Sequence, residues 1–216
     1  IKMALAPPNS KHFPTLTDLK DIAKLLRAID GYEFPLVRYA MQMGVYTFVR
    51  PGELRKAEWD EFNLDEKVWR IPETKMKLRK PHIVPLSSQV LGILTQLHTL
   101  SGNGSYLFPS VRSRHKHMSE ATVNAALRSM GFTKDQITGH GFRHMASTLL
   151  NEQGVWHPDA IERQLAHTDK SKVRGTYDHS KHLSERKKMM QAYADMLDSL
   201  KSTSDIVQIK TSNQPI

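Results

Sequence analysis

Apolar positions along the chain fall into two periods, and the helical period dominates. Leu19, Ile22, Leu25, Leu26 and Ile29 recur at helical spacing, with Thr15 or Thr17 available as a cap and Gly31 as the stop. A second apolar helix is predicted from about Pro35 to Tyr46. Pro51 suits the first turn of a further helix, which puts Arg50 at its entrance. Two short β-prone runs follow, VWRI (68–71) and HIVPL (82–86), and the basic stretch PETKMKLRKP between them predicts a lysine-rich turn in a small antiparallel sheet. Helical spacing returns with Val90, Leu91, Leu94 and Leu97, and again after Ser119, read as the cap of a helix through Val123 and Leu127. Residues 101–118 read as loop with a basic end.

The last third reads as wholly helical. HGFRHMASTLLNEQG is closed by Gly154, HPDAIERQLAH is opened by Pro158, and a third helix covers about Lys170 to Tyr177. A fourth runs from a Ser184 cap to Leu200, with Met189, Met190, Tyr193, Met196, Leu197 and Leu200 along one side as ordinary core packing. The pattern is mainly α with one small antiparallel sheet. Residues 1–14, with Pro7, Pro8 and Pro14, read as an interdomain linker, 15–200 as one domain and 201–216 as a polar tail.

Composition narrows the class. Of the 216 residues, 39% are hydrophobic and 25% charged, which suits a globular core. The absence of cysteine excludes disulfides and thiolate metal sites and fits a reducing compartment. No apolar run approaches the roughly 20 residues of a membrane span, so the expectation is a soluble domain. Thirty-one Lys and Arg against 22 Asp and Glu give a net charge of +9. The basic residues concentrate in Lys75–Lys80 and from Lys170 to Lys188, as a polyanion-binding surface would require.

Six polar residues stand out by type and order: Arg50 in TFVRPGELR, Lys77 in the basic turn, His140 and Arg143 in HGFR, His167 in QLAH and Tyr177 in RGTYDH. His140 and Arg143, three apart at a helical start, face the same way. Such a set could break and rejoin a phosphodiester without metal or ATP. A tyrosine would hold phosphorus covalently, guanidinium forks would grip its oxygens, and a lysine and imidazoles would move protons. Taken singly, each has a plainer reading. Arg50 could be a surface arginine paired with Glu53, His167 a helix C-terminal histidine, and Tyr177 one of six tyrosines. His140 and His144 are spaced like zinc ligands, but they lack the intervening glutamate and any cysteine, so no metal is expected.

The order R…K…HxxR…H…Y resembles the signature of the tyrosine recombinases. TFVRPGELR, MKLRKPHIVPLS, HGFRHMASTLLNEQG and QLAHTDKSKVRGTYDHS are similar to the corresponding segments of prophage and pathogenicity-island integrases. The resemblance implies a recombinase catalytic fold. Tyr177 would be the nucleophile of a 3′-phosphotyrosyl link, Arg50 and Arg143 phosphate clamps, Lys77 the general acid, and His140 and His167 proton-transfer and hydrogen-bond partners. Lys75 is the second choice for the acid, and Lys75, Arg79 and Lys80 would contact DNA. It further implies double-stranded attachment sites as substrate, no cofactor, a bacterial cytoplasmic setting and a tetramer on DNA, with Asp205–Lys210 adding to a neighbour's sheet. Two departures stand out. Many relatives have glycine where this chain has Phe48, and the link from His167 to Tyr177 is one residue longer and more charged. A type IB topoisomerase shares the covalent tyrosine chemistry, and a DNA-binding regulator without catalysis is the reading from another class.

Overall fold

The computed structural model describes residues 14–167 and 182–203. The helix expected over about 170–177, together with Tyr177, and the strand-like 205–210 lie outside the described residues, as does all but the last residue of the expected linker.

Helix α1 (Leu19–Asp30) opens at Asp18, whose carboxylate accepts from the amides of Lys20 at 2.8 Å and Asp21 at 3.2 Å, and closes at Gly31. The cap is thus Asp18, not Thr15 or Thr17, and an ionised carboxylate suits the positive helix end better than a hydroxyl. The Thr15 hydroxyl donates instead to the Gly141 carbonyl at 2.9 Å, far along the chain. Helix α2 (Pro35–Thr47) runs through the middle of the molecule, with Ala40, Met41 and Met43 through Thr47 all buried. It ends at Phe48, which is fully buried and left-handed at φ 40°. The short α3 (Pro51–Leu54) begins directly after Arg50, as the proline predicts.

The expected sheet is present with one more strand. Strand β1 (Phe62–Asn63) joins β2 (Val68–Ile71) and β3 (His82–Pro85) in antiparallel order β1-β2-β3, with Trp69 opposite Val84. At two residues, β1 is too short to show alternation. It is held by Phe62 stacking on the fully buried Trp69, with ring centroids 5.1 Å apart. Helix α4 (Ser88–Ser101) follows.

The stretch read as loop contains a hairpin, β4 (Pro109–Ser110) with β5 (Ser113–His117). Its residues SRHKH carry no apolar alternation, so no strand signal exists in the sequence. Helix α5 (Thr122–Ser129) starts three residues after Ser119, whose carbonyl and hydroxyl bond the amides of Thr122 and Ala121 in a preceding turn. Helices α6 (Gly141–Gln153) and α7 (Pro158–Gln164) match expectation, and Gly154 closes α6 at φ 65°. Helix α8 (Leu183–Ser202) opens at His182, so Ser184 lies inside its first turn instead of capping it. Its apolar side is buried as expected, with Tyr193 meeting Phe48 edge-on at 5.3 Å. One buried cluster takes side chains from every helix of the described residues, from Leu16 to Leu200. None of these helices is long and apolar enough to cross a membrane.

Candidate active site

Four of the six singled-out residues converge, and the C-terminus of α7 is where they meet. A helix end leaves its last carbonyls without intrahelical donors. Here three consecutive carbonyls are taken by basic side chains from three other elements. His82 Nε2 lies 3.2 Å from the Gln164 oxygen, Arg143 Nη2 donates to Leu165 at 2.5 Å, and Arg50 Nη2 donates to Ala166 at 3.0 Å. The two guanidinium donors also suit the negative pole of the helix. Ala166 itself is left-handed at φ 48°, which turns the chain out of α7 just before His167.

Arg143 is 4% exposed and sits in the first turn of α6. Its Nη1 donates to the Phe48 carbonyl at 2.7 Å, so the left-handed end of α2 is part of its seat. Burial lowers its pKa to about 10, with Arg50 adding to the effect and Glu53 opposing it; at neutral pH the guanidinium remains charged. Arg50 is half-buried, and Glu53 grips it twice: one carboxylate oxygen takes the backbone N–H and the other the Nη1, both at 2.9 Å. Glu53 is therefore the structural partner its position suggested. Each guanidinium carries five N–H groups and, among the described residues, spends two on these contacts.

His140 immediately precedes α6, beside His144, with ring centroids 5.7 Å apart. Partial burial lowers its pKa to about 4, helped by Arg143, His144, Arg50 and His167, so it is neutral at pH 7 and able to accept a proton. The same influences bring His140, Arg143, Arg50 and His167 into one electrostatic neighbourhood. His167 is exposed, and its Nδ1 lies 2.9 Å from Glu162 Oε2. The group is a strongly positive recess that holds the neutral imidazole of His140.

Lys77 stands apart. It lies on the connection between β2 and β3, exposed, beside the buried Met76 that pins this loop to the core. Among the described residues it makes no hydrogen bond or ion pair. Arg79, left-handed at φ 51°, and Lys80 are also exposed. Lys75, grouped with them and held as the second choice for the acid, is engaged elsewhere. Its ammonium bonds the Lys56 carbonyl at 2.8 Å, lies 3.3 Å from Glu58 and makes a close pair with Glu61. The turn at Trp59–Glu61 brings those carboxylates under the loop, a proximity invisible in the linear sequence.

Three buried residues behind the recess escaped the sequence reading. Arg186 on α8 bonds the Gln164 side-chain oxygen through Nε at 3.1 Å and Nη2 at 2.6 Å, and donates to the Ile83 carbonyl. Gln164 in turn reaches the Thr47 carbonyl at 3.4 Å. His82 is pushed down to about 3, chiefly by burial and then by Arg186, so it is neutral. Only His82, which opens the apolar run HIVPL, carried a signal in the sequence; Gln164 in IERQLA and Arg186 in SERKK stand among charged residues.

The model of the phage integrase family matches residues 16–184. This chain belongs to that family, the tyrosine recombinases. The integrase of Enterobacteria phage P4 is 44% identical over 209 residues, covering 90% of this chain and 48% of that protein. Prophage integrase IntA of Escherichia coli K12 is 36% identical, covering 96% and 50%. The chain thus spans about half the length of the curated relatives it matches. Among solved structures, XerA recombinase aligns with a TM-score of 0.57 at 20% identity, over 92% of this chain and 62% of that one. A lambda integrase dimer bound to a COC′ core site aligns at 0.57 and 19%, over 94% and 53%. These likenesses establish the integrase catalytic-domain fold, mainly helical with a small antiparallel sheet. In this integrase domain the recess at the end of α7 is assembled from α2, α3, α6 and β3, which fixes Arg50 and Arg143 before any ligand arrives.

Proposed function

We propose that this integrase domain cuts and rejoins double-stranded DNA at specific attachment sites, integrating or excising a prophage or genomic island. Tyr177 attacks the scissile phosphorus, the phenolic oxygen forms a bond to it, and the bond to the 5′ oxygen breaks, leaving a 3′-phosphotyrosyl link. Arg50 and Arg143 grip the nonbridging oxygens as charge spreads onto them. Lys77 donates its proton to the departing 5′ oxygen, and His140 and His167 manage the proton leaving the tyrosine. Reversal with the 5′ hydroxyl of another strand rejoins the backbone, so neither ATP nor metal is consumed. The enzyme works in the bacterial cytoplasm as part of a longer chain and assembles as a tetramer on DNA. Lambda integrase, a structural neighbour, has been seen as a dimer on a core site and as a tetramer on a Holliday junction.

The observation that carries the reading is the convergence of Arg50 and Arg143 on adjacent carbonyls beside a neutral His140 and an exposed His167. A recess that brings two guanidinium groups together suits a phosphodiester passing through a pentavalent state. The test is covalent trapping on a nicked duplex carrying the attachment site, with the full-length enzyme beside this domain. A denaturant-resistant protein–DNA adduct that disappears in Tyr177→Phe is expected. An adduct that survives the substitution would assign the nucleophile to another tyrosine, and binding without any adduct would favour a regulator.

A further inference from the structure

The geometry points to a divalent transition-metal site formed by His157, Asp159 and His182, away from the arginine recess. His157 caps α7, Asp159 lies in its first turn, and His182 caps α8. Asp159 and His182 lie 23 positions apart, so no spacing motif announces the group. The two imidazoles stack with centroids 5.1 Å apart and planes at 25°. His157 Nδ1 lies 4.0 Å from Asp159 Oδ2. One donor atom from each of the three residues falls within 4.8 Å of the others.

Zinc bonds of about 2.0–2.2 Å place tetrahedral ligands roughly 3.4 Å apart. Closing the group therefore needs movements on the order of 1 Å. The His157 side chain, 55% exposed, can supply part of this by rotation.

A second observation concerns what holds these side chains. Glu185, in the first turn of α8, accepts the His157 backbone N–H on Oε1 at 2.9 Å and pairs through Oε2 with His182 Nδ1 at 3.1 Å. An imidazole that donates Nδ1–H to a carboxylate carries its lone pair on Nε2, the arrangement by which metal-binding histidines are oriented. Glu185 thus steadies both histidine-bearing positions at once. Two features oppose the cation. His157 Nδ1 accepts the Asp159 amide at 3.1 Å, a capping bond that a metal would displace, and two helix N-termini face the group. The carboxylates of Asp159 and Glu185 stand against that positive field. Two imidazoles and a carboxylate select zinc, cobalt or nickel over magnesium or calcium, with water completing the shell. A bound ion would tie the start of α7 to the start of α8, the helices on either side in sequence of residues 168–181. The inference stands independently of the strand-cleavage reading.

Titration calorimetry of this chain with zinc chloride, and with magnesium chloride as control, tests it. Cobalt absorbance in the visible range reports coordination geometry. The variants are His157→Asn and His182→Asn, since asparagine retains helix capping and tolerates the left-handed backbone of His182, φ 61°. One zinc per chain is expected, with affinity reduced at least about tenfold in each variant, a loss of about 1.4 kcal/mol, and no response to magnesium. Asp159→Asn provides the same readout should either histidine variant fail to fold. Absence of zinc binding by the folded wild-type chain would overturn the proposal. So would a double histidine variant that binds as wild type does, which would move the site to other histidines such as His140 and His144.

Discussion

Lys77 and Lys75 are two residues apart and chemically identical, yet their surroundings differ. Lys75 is tied to Glu58 and Glu61 under the β2–β3 loop, and Lys77 is exposed at its surface. Lys77→Ala is expected to slow strand cleavage on the order of 10²–10⁴-fold, the usual worth of a positioned general acid. A substrate with sulfur in place of the departing 5′ oxygen needs no proton, and should restore most of that rate. Lys75→Ala should instead lower thermal stability, with no selective rescue by sulfur; the opposite pattern would exchange the two roles. His82 offers a second test at this scale. Its pKa falls from about 6.5 to about 3 in the folded chain, because burial opposes the charged form. Above pH 6.5 neither state binds the proton. Below it the unfolded chain takes one that the folded chain refuses, so stability falls as pH drops toward 3. The slope from this residue is about 1.4 kcal/mol per pH unit. Urea unfolding between pH 7 and pH 5 should show stability falling more steeply in wild type than in His82→Leu, the slope that remains belonging to other groups such as His140; equal slopes in both would mean His82 is protonated in the folded state.

At the scale of elements, the entry to α6 is the tightest joint in the site. A Cβ added to Gly141 would lie 2.3 Å from the Pro14 carbonyl oxygen and 2.7 Å from Ile137 Cδ1. Backbone cannot yield as a side-chain tip does, so Gly141→Ala should cost about 1–3 kcal/mol, the range for overpacking, read by denaturant unfolding. It should also weaken DNA cleavage, because His140 and Arg143 flank the displaced turn. Unchanged stability would show that the Pro14 segment moves aside freely. The long elements were legible because their cause is local: α1, α2, α4, α6 and α8 each carry several apolar residues at helical spacing. What escaped was made by distant partners. β1 exists because Trp69 offers Phe62 a stacking face, and the β4–β5 hairpin because its backbone pairs where its side chains give no pattern. The site divides the same way. The order of Arg50, His140, Arg143 and His167 could be read along the chain. The carbonyl fan of Gln164, Leu165 and Ala166, and Arg186 behind it, required the fold. Phe48 belongs to both: its place two residues before Arg50 is legible in the chain, and its left-handed φ of 40°, a conformation that favours glycine, required the fold. A phenyl ring fully buried against Tyr193 offsets the strain here.

Across the whole molecule the question is whether the charge of +9 acts as a diffuse cloud or through particular surfaces. Two exposed basic surfaces stand out. One is the β2–β3 loop with Lys77, Arg79 and Lys80; the other is the β4–β5 hairpin with Arg112, Arg114 and Lys116, whose tip residue Val111 is 100% exposed. A hairpin that buries so little of itself gains little for folding, which argues that its charges serve a ligand. Each lysine or arginine that neutralises a duplex phosphate contributes about 0.9 to the slope of log affinity against log salt, through release of a counterion. A diffuse cloud predicts that removing any two exposed charges has the same modest effect. Direct contact predicts that the double variant Arg114→Ala, Lys116→Ala lowers the slope by about 2. On this view the pair Lys20→Ala, Lys24→Ala, exposed on α1, leaves the slope nearly unchanged. All four side chains are exposed, so neither double variant should disturb folding. Titrating duplex DNA at several salt concentrations separates the cases. Equal slopes for the two variants would mean that the hairpin only adds to net charge, and that binding rests on the loop of Lys77 and the recess at the end of α7.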